Sequence, residues 1–263
     1  MLSGGLRTKN ISKQSKENIP LITIVTVVYN GEKTLEGTIL SVINQTYTNV
    51  EYIIVDGAST DGTLDIIRKY DDRIDCWISE PDKGIYDAMN KGIDLATGEW
   101  INFMNAGDSF HSQTVLQDIF KADFDKSVGV LYGNTYKIYP EFSKIETPPK
   151  INHMKKSLPF CHQSSFVKRE QAMRKFDLRY KYASDNAFFY SLYMDNINFT
   201  YINQIISNYE AYYGFSHANL KQMLYENYLI RGGKSYFTWF LFSYAPIRIR
   251  HGIALKYYRL VNK

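Results

Sequence analysis

Three apolar, strand-like runs in the first half of the chain each end in polar residues. The run 21–28 leads into Tyr29 and Asn30, the run 51–55 ends at Asp56, and the run 100–104 leads to Asp108. Continuous β-branched and apolar runs are typical of strands that a parallel sheet buries on both faces. Because ligands of open α/β sheets bind beyond the carboxyl ends of the strands, these polar residues predict one composite site for a nucleotide and a metal ion.

The segments between these runs have helical spacing of their apolar residues, as in 32–45 and 63–70. The first half of the chain therefore reads as strand, helix, strand, helix, strand, helix, strand. That order predicts an α/β fold with a mostly parallel central sheet flanked by helices. Further predicted elements are helices over 86–96, 114–122 and 186–194, strands over 75–79, 99–104, 128–138 and 201–209, and a C-terminal helical segment from 218 onward.

The length of 263 residues suits one large domain with an appendage. Residues 1–19 are polar and lack periodicity, which predicts a flexible tail. The main domain is expected over 20–216, and a helical extension rich in aromatic and basic residues over 217–263.

Composition excludes several classes of protein. The net charge of +4 is too small to indicate a nucleic-acid partner. The two cysteines, Cys76 and Cys161, form neither a disulfide framework nor a close-set zinc pattern, which favours a reducing cytoplasm. The start of the chain lacks the apolar core of a signal peptide, and no 18-residue apolar run predicts a transmembrane helix.

The octamer from Asp56 to Thr63 carries two carboxylates, two glycines and several hydroxyls between a strand and a helix. Asp56 can accept hydrogen bonds from a base or ribose, and Ser59 and Asp61 add polar groups beside a helix N-terminus. An ordinary turn with helix caps explains the same residues about as well. Tyr29 and Asn30 are either a plain turn or, beside this loop, a base-stacking tyrosine and its neighbour.

Asp87 and Asn90 lie three residues apart near the start of a predicted helix, where they share one face. That face could serve a ribose, or it could simply be solvated. Asp108 follows a buried strand beside small residues and could hold a hard divalent cation. Asp185 is either a general base or a helix N-cap, and His162 is either a substrate contact or a structural histidine.

Taken together, these motifs resemble those of the family-two inverting glycosyltransferases, which use nucleotide-diphospho-sugar donors and have a Rossmann-like, A-type glycosyltransferase fold. The resemblance runs from about Pro20 to Ser216. It rests on residues 27–30, the loop from Asp56 to Thr63, the segment 82–92 and the lead-in at 98–100. Asn105 and Gly107 stand where family members often carry acidic residues, Ser184 stands before Asp185 where they often carry glutamate, and the later double glycine is reduced to Tyr213-Gly214-Phe215-Ser216.

This resemblance implies a role for each motif residue. Asp56 would bind the nucleobase, most often uracil, within a nucleotide site that also includes Tyr29, Asn30, Ser59, Asp61 and Asp87. Asp108 would hold Mn²⁺ or Mg²⁺, and Asp185 would deprotonate the acceptor hydroxyl. Asn105, His162 and Gln163 would contact the acceptor or a phosphate. The expected partners are a nucleotide-sugar donor, such as a UDP-sugar, and a saccharide or lipid-linked saccharide acceptor, and the expected reaction is hexosyl or N-acetylhexosaminyl transfer in bacterial cell-surface polysaccharide synthesis.

Other classes of protein remain open at this stage. A non-catalytic nucleotide-sugar or glycan-binding protein is the main alternative. A nucleotidyltransferase normally has an early glycine-rich phosphate loop, and residues 21–40 contain only Gly31 and Gly37. No G-x-G-x-x-G follows the first apolar run, which disfavours a dinucleotide-dependent oxidoreductase.

The aromatic and basic segment 236–263 suits the interface of an anionic bilayer. One hypothesis is that it docks reversibly on the cytoplasmic face of the membrane. The alternatives are that its aromatic residues pack on the main domain or form a homodimer contact.

Overall fold

The structure is a computed structural model. It describes four stretches of the chain, with the side chains of Phe237 and Thr238 excepted: 1–17, 19–122, 124–211 and 219–240.

The strands within these stretches are β1 (Leu2–Gly4), β2 (Ile22–Val28), β3 (Val50–Asp56), β4 (Cys76–Ser79), β5 (Trp100–Phe103), β6 (Ser109–Phe110), β7 (Val128–Ile138), β8 (Ser143–Glu146), β9 (Ser165–Lys168) and β10 (Asn198–Glu210). The helices are α1 (Leu35–Ile43), α2 (Thr63–Lys69), α3 (Ile85–Leu95), α4 (Val115–Phe120), α5 (Arg169–Ala172), α6 (Ser184–Met194), α7 (Leu220–Ile230) and α8 (Tyr236–Trp239). Short 3₁₀ turns cover Leu6–Lys9, Ile151–Lys155 and His162–Ser164.

The strands form one mixed sheet in the order β1-β4-β3-β2-β5-β9-β7-β10-β6, with β8 paired to β7. The predicted α/β class, with a central sheet flanked by helices, is confirmed. The expected parallel pairing holds along β4-β3-β2-β5 and again between β7 and β10. The remaining pairings, which join β1, β6, β8 and β9 to their neighbours, are antiparallel.

The central parallel strands β2, β3 and β5 are buried along their whole length, as their apolar runs indicate. Every residue of β2 and β3 is buried. Alternate residues face two separate apolar clusters: Ile24 and Ile54 belong to the cluster with α1 and α2, and Val25 and Ile53 to the cluster with α3 and α6. The register pairs Val28 with Asp56, which brings the carboxyl ends of these strands to one edge.

The expected flexible tail is wrong for most of residues 1–19. β1 pairs antiparallel with β4. Arg7 forms an ion pair with the buried carboxylate of Glu51 and donates a hydrogen bond of 2.7 Å to the carbonyl of Leu95. Lys13 Nζ lies 2.8 Å from Asp75 Oδ2. These ion pairs hold the N-terminal residues against buried carboxylates of β3 and of the turn before β4, although the segment has no apolar periodicity.

The C-terminal region begins with the predicted helix, which is α7. The rings of Tyr225 and Trp239 lie 5.1 Å apart, so part of the aromatic extension packs on α7. In the described part of the chain, no helix combines the length and apolarity needed to cross a bilayer. The motif Tyr213-Gly214-Phe215-Ser216 and most of the proposed membrane-docking segment, residues 241–263, lie outside the described residues.

Candidate active site

The loops that follow β2 and β3 are joined by hydrogen bonds. Asn30, in the left-handed region at φ 50°, accepts the N–H of Thr60 at 2.9 Å through its side-chain oxygen. Ser59 Oγ accepts the N–H of Asn30 at 2.7 Å, and Asp61 Oδ2 accepts the N–H of Glu32 at 3.1 Å. Asparagine tolerates this conformation better than most residues. Three of the predicted nucleotide contacts, Asn30, Ser59 and Asp61, therefore also fix the shape of the two loops.

Asp56 is fully buried behind these loops. Its carboxylate accepts hydrogen bonds from the hydroxyl and N–H groups of Ser59 and, at 2.6 Å, from the hydroxyl of Ser79 on β4. A buried carboxylate needs such partners because its desolvation is otherwise very costly. Asp56 thus lies at a strand end, as the sequence indicates, but within the packed interior.

Tyr29 is the exposed member of this group, with 66% of its surface accessible. It borders the chain at Gly57, where an added Cβ would lie 3.4 Å from Tyr29 Cδ2 and 2.4 Å from Asp82 Oδ2. A Cβ at this position would contact the Tyr29 ring normally, but the Asp82 carboxylate would have to shift. The loop therefore presents an exposed aromatic face beside a second carboxylate, Asp82, which begins the motif 82–92 but was given no role of its own.

Asp87 and Asn90 have different hydrogen-bond partners in the structure. Asp87 lies in the first turn of α3, and its Oδ2 accepts the N–H of Lys83, which precedes the helix, at 3.0 Å. Asn90 instead bonds the backbone of Phe176 in both directions, at 2.9 and 2.7 Å. Asn90 therefore anchors the loop before α6, while Asp87 remains a predicted nucleotide contact.

Asp108 occupies a tight turn after β5. Gly107 has φ 99°, a conformation that suits glycine, and Thr38 Oγ1 on α1 accepts its N–H at 3.0 Å and donates to the Asp108 carbonyl at 2.7 Å. Gln163 Nε2 donates to Asp108 Oδ2 at 2.8 Å. Burial raises the pKa of Asp108 to about 7, against the opposing effect of the Gln163 hydrogen bond.

A chain of side chains connects this turn to Asp185. His162 Nε2 lies 3.0 Å from Asn105 Nδ2, and His162 Nδ1 lies 3.1 Å from Asp185 Oδ2. Tyr86 donates its hydroxyl to Asp185 Oδ1 at 2.9 Å. With the amide placed in this way, Nε2 accepts a hydrogen bond from Asn105, and Nδ1–H donates a hydrogen bond to Asp185.

The electrostatics of Asp185 favour the carboxylate. Burial alone would raise the pKa of Asp185, but the hydrogen bonds from His162, from Tyr86 and from the backbone N–H of Asn186 outweigh it, so that the pKa lies below its ordinary value. Burial and the neighbouring Asp185 raise the pKa of Tyr86, which remains a hydrogen-bond donor. Asp185 is not the N-cap of α6, because Ala183 occupies that position.

The donor set at Asp108 fits a hard divalent cation that takes its other ligands from phosphate and water. The side-chain oxygen of Asn105 is buried and has no hydrogen-bond partner. Magnesium in nucleotide sites is commonly held by one or two carboxylates together with substrate phosphates. Within the described residues, no group of three or more His, Cys, Asp or Glu side chains converges on a metal position.

These residues converge on one cavity of about 600 Å³. The predicted site residues that line it are Asn105, Asp108, His162, Gln163 and Asp185. The other predicted site residues do not line it; they are Tyr29, Asn30, Asp56, Ser59, Asp61 and Asp87.

The cavity also includes residues that sequence reasoning missed. Tyr86 comes from the start of α3, and Met223, Leu224 and Asn227 come from α7. Tyr86 lies inside the segment 82–92 that carries the resemblance, which is the signal that could have identified it. The α7 residues carry no such signal, because their place in the cavity depends on a packing contact with α6.

Residues 23–198 match the family described as glycosyl transferase family 2. The chain is 28% identical to the PGL/p-HBAD biosynthesis glycosyltransferase Rv2957 of Mycobacterium tuberculosis, over 75% of this chain and 79% of the relative. It is 26% identical to the UDP-Glc:alpha-D-GlcNAc-diphosphoundecaprenol beta-1,3-glucosyltransferase WfaP of Escherichia coli, over 92% and 93% of the two chains.

Solved structures share the fold at low sequence identity. TarS of S. aureus in complex with UDP-GlcNAc superposes with a TM-score of 0.62 at 16% identity, and the match covers 80% of this chain and 66% of that one. The mannosyltransferase PcManGT of Pyrobaculum calidifontis, in complex with GDP-Man and Mn²⁺, gives 0.63 at 20% identity over 84% and 67%. The family match contains β2 to β9 together with the loops and most of the cavity residues described above, and on this evidence the chain belongs to glycosyl transferase family 2.

Proposed function

We propose that this protein transfers a hexosyl or N-acetylhexosaminyl group from a UDP-sugar to an acceptor hydroxyl, with inversion at the anomeric carbon. The observation that carries the proposal is the environment of Asp185. This carboxylate lines the cavity, keeps 21% of its side-chain surface accessible and is held by His162 and Tyr86. A lowered pKa keeps it ionised near neutral pH, as a proton acceptor must be.

In the proposed reaction, Asp185 accepts the proton of the acceptor hydroxyl. The hydroxyl oxygen forms the new bond to the anomeric carbon while the bond from that carbon to the diphosphate oxygen breaks, and the nucleoside diphosphate leaves with the bonding electrons. Attack opposite the leaving group inverts the configuration without a covalent enzyme intermediate. Tyr86 and His162 orient the carboxylate, and such positioning supplies much of the acceleration in bimolecular reactions.

A divalent cation, Mn²⁺ or Mg²⁺, would be held by Asp108 with the side-chain oxygen of Asn105. When bound, it would stabilise negative charge on the departing diphosphate. Gln163 orients the Asp108 carboxylate through its 2.8 Å hydrogen bond.

The uridine donor is supported by the relatives' names and by the loops beyond β2 and β3. WfaP is named for UDP-Glc, and TarS was crystallised with UDP-GlcNAc. Tyr29 offers an exposed ring on which a base can stack. Asp56 would act indirectly on the base site. Its carboxylate binds Ser59, and Ser59 in turn binds the backbone of Asn30, so the two loops keep their positions.

The acceptor that we propose is a saccharide carried on a lipid, in the assembly of a bacterial cell-surface polysaccharide. WfaP is named for a diphosphoundecaprenol-linked acceptor, and a putative teichuronic acid glycosyltransferase of Bacillus subtilis is 37% identical over 35% of this chain. Such an acceptor would place the reaction at the cytoplasmic face of the membrane. The apolar side chains of Leu158, Phe160 and Leu224 on the cavity wall are compatible with it.

A donor panel tests the proposal directly. The full chain is incubated with Mn²⁺, a lipid-linked GlcNAc-diphosphate acceptor and each of UDP-Glc, UDP-GlcNAc and GDP-Man, and the anomeric configuration of the product is read by NMR. We expect transfer from a UDP-sugar and a product of inverted configuration. A retained configuration, transfer from GDP-Man alone, or binding of UDP without transfer or donor hydrolysis would contradict the proposal.

A further inference from the structure

A carboxylate on α7 is bound to three consecutive backbone N–H groups just before α6. Glu226 Oε1 accepts the N–H of Lys181 at 2.9 Å, and Glu226 Oε2 accepts those of Tyr182 and Ala183, each at 2.8 Å. The glutamate is separated from these amides by more than 40 positions in the chain, since its bond to Ala183 spans 43. The contact therefore fixes the position of one helix relative to the start of another.

This contact lies at the N-terminus of α6, where the N-cap side chain makes no hydrogen bond. The N-cap residue of α6 is Ala183, which makes no side-chain cap hydrogen bond. The first N–H groups of a helix have no partner within it and normally bond a capping side chain. Glu226 supplies an acceptor to the N-cap residue and the two residues before it. Its negative charge also lies at the end of the helix that the macrodipole makes positive.

A second contact from α7 holds the same turn. Asn186 is buried, and its side chain bonds that of Asn227 and, at 3.0 Å, the guanidinium of Arg231. Asp185 therefore lies between two anchored positions, Ala183 and Asn186. With only two residues separating those anchors, the backbone of Asp185 has little freedom to move.

We propose that Glu226 is a positioning residue for Asp185, and that α7 is a working part of the catalytic site. The inference rests on the proposed role of Asp185 as the base. It extends the site beyond residues 23–198, where the family match ends. The catalytic unit then includes at least residues up to 230, and α7 does not belong to a separate extension beginning at 217.

The reason for expecting an effect on turnover is geometric. His162 and Tyr86 reach Asp185 from elements other than α6, at 3.1 and 2.9 Å. A shift of the first turn of α6 would lengthen both contacts and move the carboxylate relative to the acceptor hydroxyl. A misplacement of about 1 Å can cost about 10²-fold in rate.

The test compares Glu226→Ala and Glu226→Gln with the wild-type chain. Gln222→Ala is the matched control, because Gln222 is an exposed residue of the same helix. Two quantities are measured on each full-length protein: amide hydrogen exchange of residues 181–186 by mass spectrometry, and kcat and KM for the donor that the wild type uses. Both Glu226 variants are first checked for a folded state by circular dichroism.

We expect Glu226→Ala to exchange these amides faster and to lose up to about 10²-fold in kcat with an unchanged donor KM. Glu226→Gln should fall between Ala and wild type, because its amide keeps one acceptor oxygen. Gln222→Ala should match the wild type in both measurements. If Glu226→Ala does not fold, the Gln variant alone decides, since it preserves the size and shape of the side chain.

Three results would overturn the positioning role: a wild-type kcat in a folded Glu226 variant, a fall in kcat without faster exchange, or an equal fall for Gln222→Ala. Each of them leaves the proposed function standing if the wild type transfers sugar and Asp185→Asn does not. Failure of the wild type to transfer sugar from any donor would instead contradict the proposed function itself.

Discussion

His162 Nδ1 lies 3.1 Å from Asp185 Oδ2, although the histidine belongs to a 3₁₀ turn before β9 and the aspartate to the first turn of α6. The same ring contacts Asn105 through Nε2. One imidazole thus joins the turn after β5, which carries Asp108, to the carboxylate that we propose as the base. All three residues, Asn105, His162 and Asp185, line the cavity.

Asp56→Ala should lower both stability and donor affinity. The substitution leaves the hydroxyl groups of Ser59 and Ser79 without their buried acceptor, so we expect a loss of about 2–3 kcal/mol in the free energy of unfolding. Chemical denaturation measures this loss, and calorimetry measures UDP affinity. A variant as stable as the wild type would contradict the structural role assigned to the buried carboxylate.

Tyr29→Ala should lower UDP affinity but leave stability nearly unchanged. Because the ring is 66% exposed, stability should change by less than about 0.5 kcal/mol. Loss of base stacking should weaken UDP binding by about 1–2 kcal/mol, and Tyr29→Phe should retain the wild-type affinity. Unchanged UDP affinity in the alanine variant, measured by calorimetry, would exclude Tyr29 from the nucleotide site.

Asp108→Asn should separate cation dependence from folding. The amide is nearly isosteric and removes a carboxylate that burial already disfavours, so the variant should fold. Stimulation of UDP binding by Mn²⁺, followed by calorimetry with and without a chelator, should be lost. Retained stimulation would show that the cation is held elsewhere.

Arg7→Met should destabilise the protein in a pH-dependent manner. Burial would raise the pKa of Glu51, but hydrogen bonds from Thr23 and Thr97 and the charge of Arg7 outweigh it, so the folded pKa lies below 4.5. Stability from the Glu51 carboxylate is therefore present above pH 4.5 and is lost as the pH falls through the lower folded pKa.

At pH 7 the loss in Arg7→Met should be about 2 kcal/mol, and the difference from wild type should shrink below pH 4.5. Denaturation at pH 7 and at pH 4 measures both values. An equal difference at the two pH values would mean that the ion pair does not stabilise the fold.

The sequence was a good guide where local pattern decides the structure. The β-branched runs of β2 and β3 and the helical spacing of α1 and α3 predicted these elements to within a few residues, and their order predicted which strand ends share an edge. It was a poor guide where distant residues decide. The buried carboxylate of Asp56 needs a hydrogen bond from Ser79 on another strand. Residues 1–17 are held in place by ion pairs with Glu51 and Asp75.

The same distinction applies to the site residues: some could be identified from local sequence, and others could not. Asp108, His162 and Asp185 could be selected as chemically capable residues, and the structure brings them to one cavity. Asn90 shares a helix with Asp87 but bonds Phe176, a partner 86 positions away. Glu226 has no local motif at all, since its role depends on the packing of α7 against the start of α6.

The most direct test of the central claim is the turnover of Asp185→Asn with a UDP-sugar and acceptor, measured beside its UDP affinity by calorimetry. The asparagine keeps the shape of the side chain and removes its basicity. We predict that turnover falls by at least about 10²-fold while UDP binds with wild-type affinity. Turnover at the wild-type rate would contradict the assignment of Asp185 as the base.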